Sequence, residues 1–488
     1  MLYMNVIFKM LLNICNIIIP IIVGPYIMRV LSNTQVGQLN YVQSIFGYFF
    51  IFASFGVMQY GIREISQRKN DKKKIQETLT SLFIVTVITN IVAGLLYLIV
   101  SINIIKEVDI RSIAIIFTLY FMFNIFQVEW IVTALENFKF ITIKTLIIKV
   151  IYVVAIFIFV RTPEDFNKYV FIIISTSCLG NLISYAYIKK YYKFDFSNIK
   201  IMNHLKPMFL MVIISNANIL YTQLDRYMLG SIVGMTLLSY YAISQGIMSV
   251  INTLLMSVIQ ACIPRLNGYS AGNNKKEYIN LLTKVSRVYF MILFPASIGI
   301  LLLGEELIVL YGGSQYVGAG GVLACFAIYM ITLGFDNILG NQIMYINKKE
   351  KIQVKFLFVG GIINLFLNLL CIKLKVFTPI TAILTTTVAN IVVIVLQHIY
   401  IKIKLNIEYN IFQFKNIQYL IISMIFIPIV LIIKNIGIGT LSRVIISIGV
   451  CCIIYGGILL MKKDEIVLMI INKFMRKKQS VEKVKIEK

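Results

Sequence analysis

Charge is what this sequence has least of. Asp, Glu, Lys and Arg supply 14% of its 488 residues, where a soluble domain carries about 25%. Histidine occurs twice, so acid–base chemistry built on imidazole has only His204 and His398 to draw on. The seven cysteines, Cys15, Cys178, Cys262, Cys325, Cys371, Cys451 and Cys452, all fall in apolar stretches, and none stands at a metal-site spacing from another Cys or a His. They read as small apolar packing residues, with neither a disulfide nor a metal expected. A long hydrophilic segment is also missing, which excludes a soluble domain between the apolar runs.

What fills the chain instead is hydrocarbon. Hydrophobic residues make up 59% and the mean hydropathy is +0.85. Runs of roughly 20 apolar residues, enough to cross about 30 Å of bilayer core, recur from end to end. The expected fold is therefore all-α, a polytopic membrane protein with about 14 transmembrane helices. Read against Pro, Gly and charged interruptions, the spans lie near 6–31, 38–62, 79–101, 112–135, 141–160, 168–188, 208–232, 238–262, 285–303, 319–346, 353–372, 379–401, 417–434 and 441–461. The first run is too long for a signal-peptide core and lacks a small-residue cleavage pattern, so it is expected to remain as a span.

A net charge of +25 does not point to nucleic acid, because the lysines sit in short loops rather than on one solvated face with stacking aromatics. They concentrate in alternate loops such as REISQRKNDKKKIQE and NKKEKIQVK, and in the tail. The positive-inside bias then puts both termini in the cytoplasm and leaves the outward loops short. This divides the chain into a first lobe of spans one to six (1–203), a second of spans seven to twelve (204–404), a last pair (405–461) and a basic cytoplasmic tail (462–488). The tail reads either as an interfacial amphipathic helix or as a solvated topology determinant. A faint echo between the segments starting near 20 and 220, each with a glycine turn, a tyrosine-led helix and a closing Arg63 or Arg265, fits two related halves.

Polar side chains inside spans are the candidates for function, since a charge facing lipid at the bilayer centre costs about 2.5–3.5 kcal/mol on insertion scales. On the seventh span Ser215, Asn218, Thr222, Asp225 and Arg226 share an arc of about 100°. On the first, Asn5, Lys9, Asn13, Asn16 and Pro20 do the same, before Gly24 and Pro25, which are expected to disturb the register. Asp225 and Arg226 lie roughly 12 Å below the outer end of their span, too deep for an aspartate to reach water. They either lock neighbouring helices together or contact a substrate or ion. The same choice applies to Glu129, placed mid-span with Thr133 and Glu136 on its face, and to Asp336 among the glycines of GFDNILGNQIMYINK. Arg29 is an interfacial anchor or a phosphate grip, and Lys149 snorkels to the interface.

These residues sit in stretches with a family likeness. IPIIVGPYIMRVLSNTQVGQLNYVQSIFGYFFIFASFGVMQYGIREISQRK, VEWIVTALENFKFITIKTLIIK, HLKPMFLMVIISNANILYTQLDRYMLGSIVG, CIPRLNGY and GNQIMYINKKEK together resemble bacterial oligosaccharide flippases of the polysaccharide transporter family. That family belongs to the superfamily that also holds multidrug and toxin extruders. The resemblance runs over about residues 1 to 400 and implies two six-helix lobes around a central cavity, a C-terminal helix pair and alternating access. It implies a cargo of undecaprenyl-diphosphate-linked repeat units for capsule, exopolysaccharide or O-antigen, moved to the outer leaflet of the bacterial cytoplasmic membrane. Glycan polymerase and chain-length regulator are the partners it suggests. In such transporters cationic cavity residues engage the diphosphate or acidic sugars, and Arg29, Arg226 and Lys9 are the candidates for that role in this sequence. The chain departs from the family at Val30, Leu31 and Ser32, where a Leu-Gly pair is usual, and at Arg226, where smaller residues are common.

The residues themselves agree with such a cargo. A diphosphate needs fixed positive charge, and a glycan needs many neutral donors and acceptors, of which Asn13, Asn16, Asn218 and Thr222 are the candidates. Asp225, Glu129 and Asp336 are candidates for coupling to H⁺ or Na⁺, and no other cofactor is expected. Two other readings compete. A multidrug extruder would favour acidic over basic cavity residues, and a glycan polymerase or ligase would need a long outward loop bearing acid–base groups. No enzymatic activity is expected.

Overall fold

The computed structural model describes residues 2–272, 274–469 and 471–472, with the side chains of 2–7, 9, 13 and 214–222 outside the description. Helices account for the regular structure, and no strand occurs among the described residues. In order they are α1 (Leu2–Val30), α2 (Asn33–Ser54), α3 (Val57–Ser66), α4 (Lys72–Asn103), α5 (Val108–Asn124), α6 (Glu129–Ala134), α7 (Phe138–Phe159), α8 (Phe166–Tyr191) and α9 (Ile201–Ile232). There follow α10 (Met235–Ala271), α11 (Lys275–Gly312), α12 (Gly320–Asn337), α13 (Glu350–Lys373), α14 (Pro379–Tyr400), α15 (Phe414–Ser423), α16 (Phe426–Lys434) and α17 (Thr440–Met461). Two π-helical turns, Ile338–Met344 and Ile401–Leu405, continue α12 and α14.

Among the described residues, 12 helical segments are long and apolar enough to cross a membrane. The fourth and seventh expected spans fall outside that set, on the 17-residue α5 and the 32-residue α9. The protein is thus a helical, multi-pass membrane protein with a span count near the expected one. Short polar motifs set the starts of its helices. Ser32 and Gln35 form a capping box at α2, Asp71 accepts from the Lys74 N–H at α4, and Asn137 accepts from the Phe140 N–H at α7.

Three expectations about the spans are corrected. α1 continues through Gly24 and Pro25 to Val30, because neighbouring groups within a membrane bundle tolerate a proline's lost hydrogen bond. The second span is two helices, broken where Phe55 and Gly56 take left-handed φ values of 39° and 69°. The fourth is also two, α5 and α6, separated by a turn in which the Phe126 and Gln127 N–H groups bond back to the carbonyls of Phe123 and Asn124. Glu129 therefore opens a helix rather than sitting mid-span. Thr133 bonds the Glu129 carbonyl, and Glu136, at φ 59°, lies past the end of α6 and pairs with Lys69.

The chain forms two compact units. Unit 1 comprises residues 1–243, 311–316 and 357–382; unit 2 comprises 244–310, 317–356 and the chain from 383 onward. Unit 1 contains two separate apolar cores. One gathers Val42, Ile113, Phe121, Ile156 and Val170; the other gathers Tyr60, Leu79, Val85, Trp130 and Ile141. Gly61 lets α3 close on α6, since a Cβ there would lie 2.4 Å from Trp130 Cε3.

In unit 2, Phe290 stacks on Phe294 with ring centres 5.1 Å apart and meets Phe335 at 4.9 Å. α11 holds the C-terminal helix pair at both of its ends. Arg287 bonds Asp464 at 2.9 Å and also Glu465, while Glu306 meets Lys434 at 3.0 Å and Arg443 at 3.6 Å. At 1.5 Å per residue these two anchor points are about 28 Å apart, close to the thickness of a bilayer core.

Candidate functional site

The polar groups inside the spans gather in three places. The first is in unit 1, where Asp225 of α9 has no exposed surface. Tyr241 Oη of α10 donates to Oδ2 at 2.9 Å, and Asn368 Nδ2 of α13 donates to Oδ1 at 2.7 Å and to Asn364 Oδ1 at 2.7 Å. Helix periodicity explains the asparagines, which are four apart and share one face of α13. Small residues bring the helices close: Gly37 packs on the Met235 carbonyl, and Gly230 on the Tyr41 ring, which stacks with Tyr227 at 5.8 Å. Arg226 is half-buried next to Asp225. The site is thus a buried carboxylate held by neutral donors from two further helices, with a guanidinium on the adjacent residue.

The second place lies at the breaks in unit 1. Interrupting α2 leaves its last carbonyls without helical partners, and α4 supplies them: Thr89 Oγ1 and Asn90 Nδ2 donate to the Ala53 carbonyl at 2.8 and 3.1 Å. Asn124, at the end of α5, donates to Asn90 Oδ1 at 2.9 Å. Past the break between α5 and α6, the Lys144 ammonium bonds Glu129 and donates to Ser184 Oγ at 2.8 Å. Lys144 is almost wholly buried and Glu129 about three-quarters so, at 6% and 26% side-chain exposure. This is a compensated ion pair, which ties α6 to α7 and α8.

The third place is in unit 2. Asp336, the second-last residue of α12, accepts from Gln397 Nε2 of α14 at 2.7 Å. Its neighbour Asn337 donates to Asn252 Oδ1 at 3.2 Å and to Tyr289 Oη at 3.1 Å.

The other expected site residues are dispersed or undescribed. Arg29 ends α1 with an exposed side chain, and Asn16 is exposed on the same helix. The side chains of Asn5, Lys9, Asn13, Ser215, Asn218 and Thr222 lie outside the described residues. Sequence reasoning missed Tyr241, Asn364, Asn368, Lys144 and Gln397. Asn364 and Asn368 carried a signal, two amides four residues apart in an apolar helix. Lys144 carried none that set it apart from Lys149.

Polar pockets also occur at helix ends. In unit 1 a cavity of about 810 Å³ is lined by Tyr60, Arg68, Asp71, Lys73, Lys200 and His204. Tyr60 Oη lies 2.7 Å from His204 Nδ1 there, and Arg68 bridges Glu64 and Thr78. Hydrogen bonds from the Lys74 N–H and ammonium hold the Asp71 carboxyl below its ordinary range. In unit 2 a cavity of about 460 Å³ is lined by Tyr269, Tyr278, Asn347, Asn406 and Glu408 among others.

Comparison with known proteins places this architecture. A sequence model described as polysaccharide biosynthesis protein matches residues 2–270. A putative O-antigen transporter of Escherichia coli (strain K12) is 25% identical over 371 residues, which is 74% of this chain and 88% of that protein. The capsular polysaccharide biosynthesis protein CapF of Staphylococcus aureus is 22% identical over 399 residues, 80% of this chain and 96% of its own. Among solved structures, the lipid II flippase MurJ in an inward closed conformation superposes with a TM-score of 0.68 at 14% identity, covering 94% of this chain and 99% of that one. An inward-facing multidrug resistance MATE transporter of the MOP superfamily superposes at 0.57 and 12% identity, covering 80% of this chain and 100% of that one. These likenesses establish a shared fold.

Proposed function

This chain belongs to the polysaccharide biosynthesis protein family, and from that premise we propose that it is a flippase for lipid-linked oligosaccharide repeat units. The cargo is an undecaprenyl-diphosphate-linked glycan, moved from the inner to the outer leaflet of the bacterial cytoplasmic membrane by alternating access, for capsule, exopolysaccharide or O-antigen. Both termini face the cytoplasm in this reading, which the placement of Lys and Arg in alternate loops supports. Polymerase and chain-length regulator are the expected neighbours in the pathway.

The observation that carries the reading is the family match together with a guanidinium, Arg226, beside a buried carboxylate deep in a span. Arg226 and Arg29 are assigned to the diphosphate, because guanidinium groups meet phosphate oxygens in pairs and stay charged at any physiological pH. Lys9, Asn13, Asn16, Asn218 and Thr222 are assigned as further cargo contacts. Asp225 is assigned to coupling. Its two oxygens already accept from Tyr241 and Asn368, and exchange of those donors for a proton or Na⁺ would release α10 and α13 from α9.

The competing reading as a multidrug extruder draws on likeness of fold alone. No catalytic role is assigned to any residue.

The test is genetic and direct. In a strain that depends on this protein for surface glycan, Arg226→Ala should leave the protein in the membrane and reduce glycan export on the order of tenfold or more, the loss of a charge-assisted contact. Normal export by Arg226→Ala and Arg29→Ala, alone and combined, would rule the assignment out.

A further inference from the structure

The carboxylate of unit 2 has a different environment from the others. Asp336 is 9% exposed and none of the ion pairs among the described residues includes it. It lies well inside the segment Ser314–Met344, which is long and apolar enough to cross a membrane. Its hydrogen-bond partner is a neutral amide, Gln397 Nε2 on α14 at 2.7 Å. An ionised carboxylate in such a medium, answered by one amide hydrogen, is strongly disfavoured against its neutral form.

Gln397 supplies the complementary observation. It is wholly buried, and its Oε1 has no hydrogen-bond partner among the described residues. Orphaned buried acceptors are uncommon and call for a missing donor. The amide group presents Nε2–H and Oε1 side by side, the geometry that a carboxylic acid matches with one acceptor and one donor. A proton on Asp336 Oδ2 fills the vacancy: Nε2–H donates to Oδ1 and Oδ2–H donates to Oε1. The ionised form makes only the first of these bonds.

The surroundings keep the pair neutral. From α11 comes Tyr289, whose hydroxyl accepts from the neighbouring Asn337. From α10 comes the neutral Asn252. On α14 the adjacent His398 packs its ring on Phe412, 5.6 Å between centres. From α13, Gln353 approaches at Gly340, where a Cβ would lie 2.4 Å from Gln353 Nε2 and 3.7 Å from Asp336 Oδ1. The glycine thus leaves room for the Gln353 amide. The π-helical turn Ile338–Met344 begins two residues after Asp336, and such turns recur at functional positions in helices.

We propose that Asp336 and Gln397 together bind one proton inside unit 2, held as a two-bond carboxylic acid–amide pair at the start of the π-helical turn. Release of the proton breaks the Oδ2–H to Oε1 bond and leaves a charge, so the protonated and ionised forms favour different arrangements of α12 against α14. That this proton serves transport rests on the flippase reading; that it binds does not.

The test is infrared difference spectroscopy of the full chain in vesicles, titrated with pH. A carbonyl band of a protonated carboxylic acid should be present at neutral pH, disappear in Asp336→Asn and persist in Asp225→Asn. Gln397→Leu should move the band to higher frequency, because the carbonyl loses the amide donor. Carbon-13 labelling of aspartate in the unmutated chain should shift the band, which keeps the test valid if Asp336→Asn fails to fold. Absence of any such aspartate band, or its appearance only when Na⁺ is withdrawn, would overturn the proposal. The readout does not involve glycan movement, so loss of the flippase reading would leave it standing.

Discussion

Glu129 and Asp336 are two carboxylates placed where a membrane span stops being a regular α-helix, and they are answered in opposite ways. Glu129 follows the break between α5 and α6 and meets the Lys144 ammonium; Asp336 precedes a π-helical turn and meets an amide. In the first case the charges cancel, and what remains is a bolt joining α6 to α7. In the second no counterion occurs among the described residues, which favours the neutral acid, the form proposed above to hold a proton. An acid deep in a membrane is therefore not a functional marker by itself. The identity of the group facing it decides whether it holds the fold or works in it.

The comparison breaks most visibly if the bolt is cut on one side. Lys144→Ala leaves Glu129 without its counterion and should cost about 3–5 kcal/mol, read as a lowered melting temperature in detergent or as lost membrane abundance. Replacing both partners, Glu129→Gln with Lys144→Met, should recover most of that loss, since two neutral groups need no mutual compensation. If both variants proved equally stable, Glu129 would belong with Asp336. A smaller loss, about 2–4 kcal/mol, is expected for Arg287→Ala. There Asp464 keeps Tyr419 Oη at 3.0 Å and the Ile466 N–H at 2.9 Å as donors. Distance measurements between spin labels on α11 and α17 should then broaden.

Asp336→Asn sharpens the contrast from the other side. It removes the proton-binding oxygen but keeps the shape of the neutral acid, so stability should change by under about 1.5 kcal/mol, while the part of any proton-gradient dependence of transport that runs through unit 2 should be lost. The smallest effect belongs to Lys69→Ala, whose partner Glu136 is 59% exposed; such surface pairs contribute about 0.2–1 kcal/mol. A loss beyond that would show that the loop after α6 is more tightly held than its exposure indicates.

The sequence exposed this contrast only in part. Long apolar runs made the spans legible, because hydrophobic length alone determines whether a helix can cross a bilayer. Acids within those runs stood out for the same reason, and Asp225, Glu129 and Asp336 all proved to be engaged by other helices. Their partners did not stand out. Among the described residues Lys144 makes an ion pair and Lys149, five residues on, makes none, yet the sequence does not tell the two lysines apart, and choosing between them requires knowing how α7 is rotated. Gln397 looked like one more amide in an apolar helix until Asp336 was found opposite it. The breaks were also hidden. Phe55 adopts a left-handed φ of 39°, which local preference disfavours in a bulky residue, and the polar side chains of α4 that satisfy the exposed carbonyl come from a different span.

The claim on which the account depends is movement of a lipid-diphosphate glycan. It is tested by reconstituting the purified chain in vesicles with a labelled undecaprenyl-diphosphate oligosaccharide on one face and following its access to a membrane-impermeant reagent on the other. The account predicts rapid exposure of the label with the unmutated protein and slow exposure with Arg226→Ala. Exposure no faster than in protein-free vesicles, under either direction of proton or Na⁺ gradient, would contradict it.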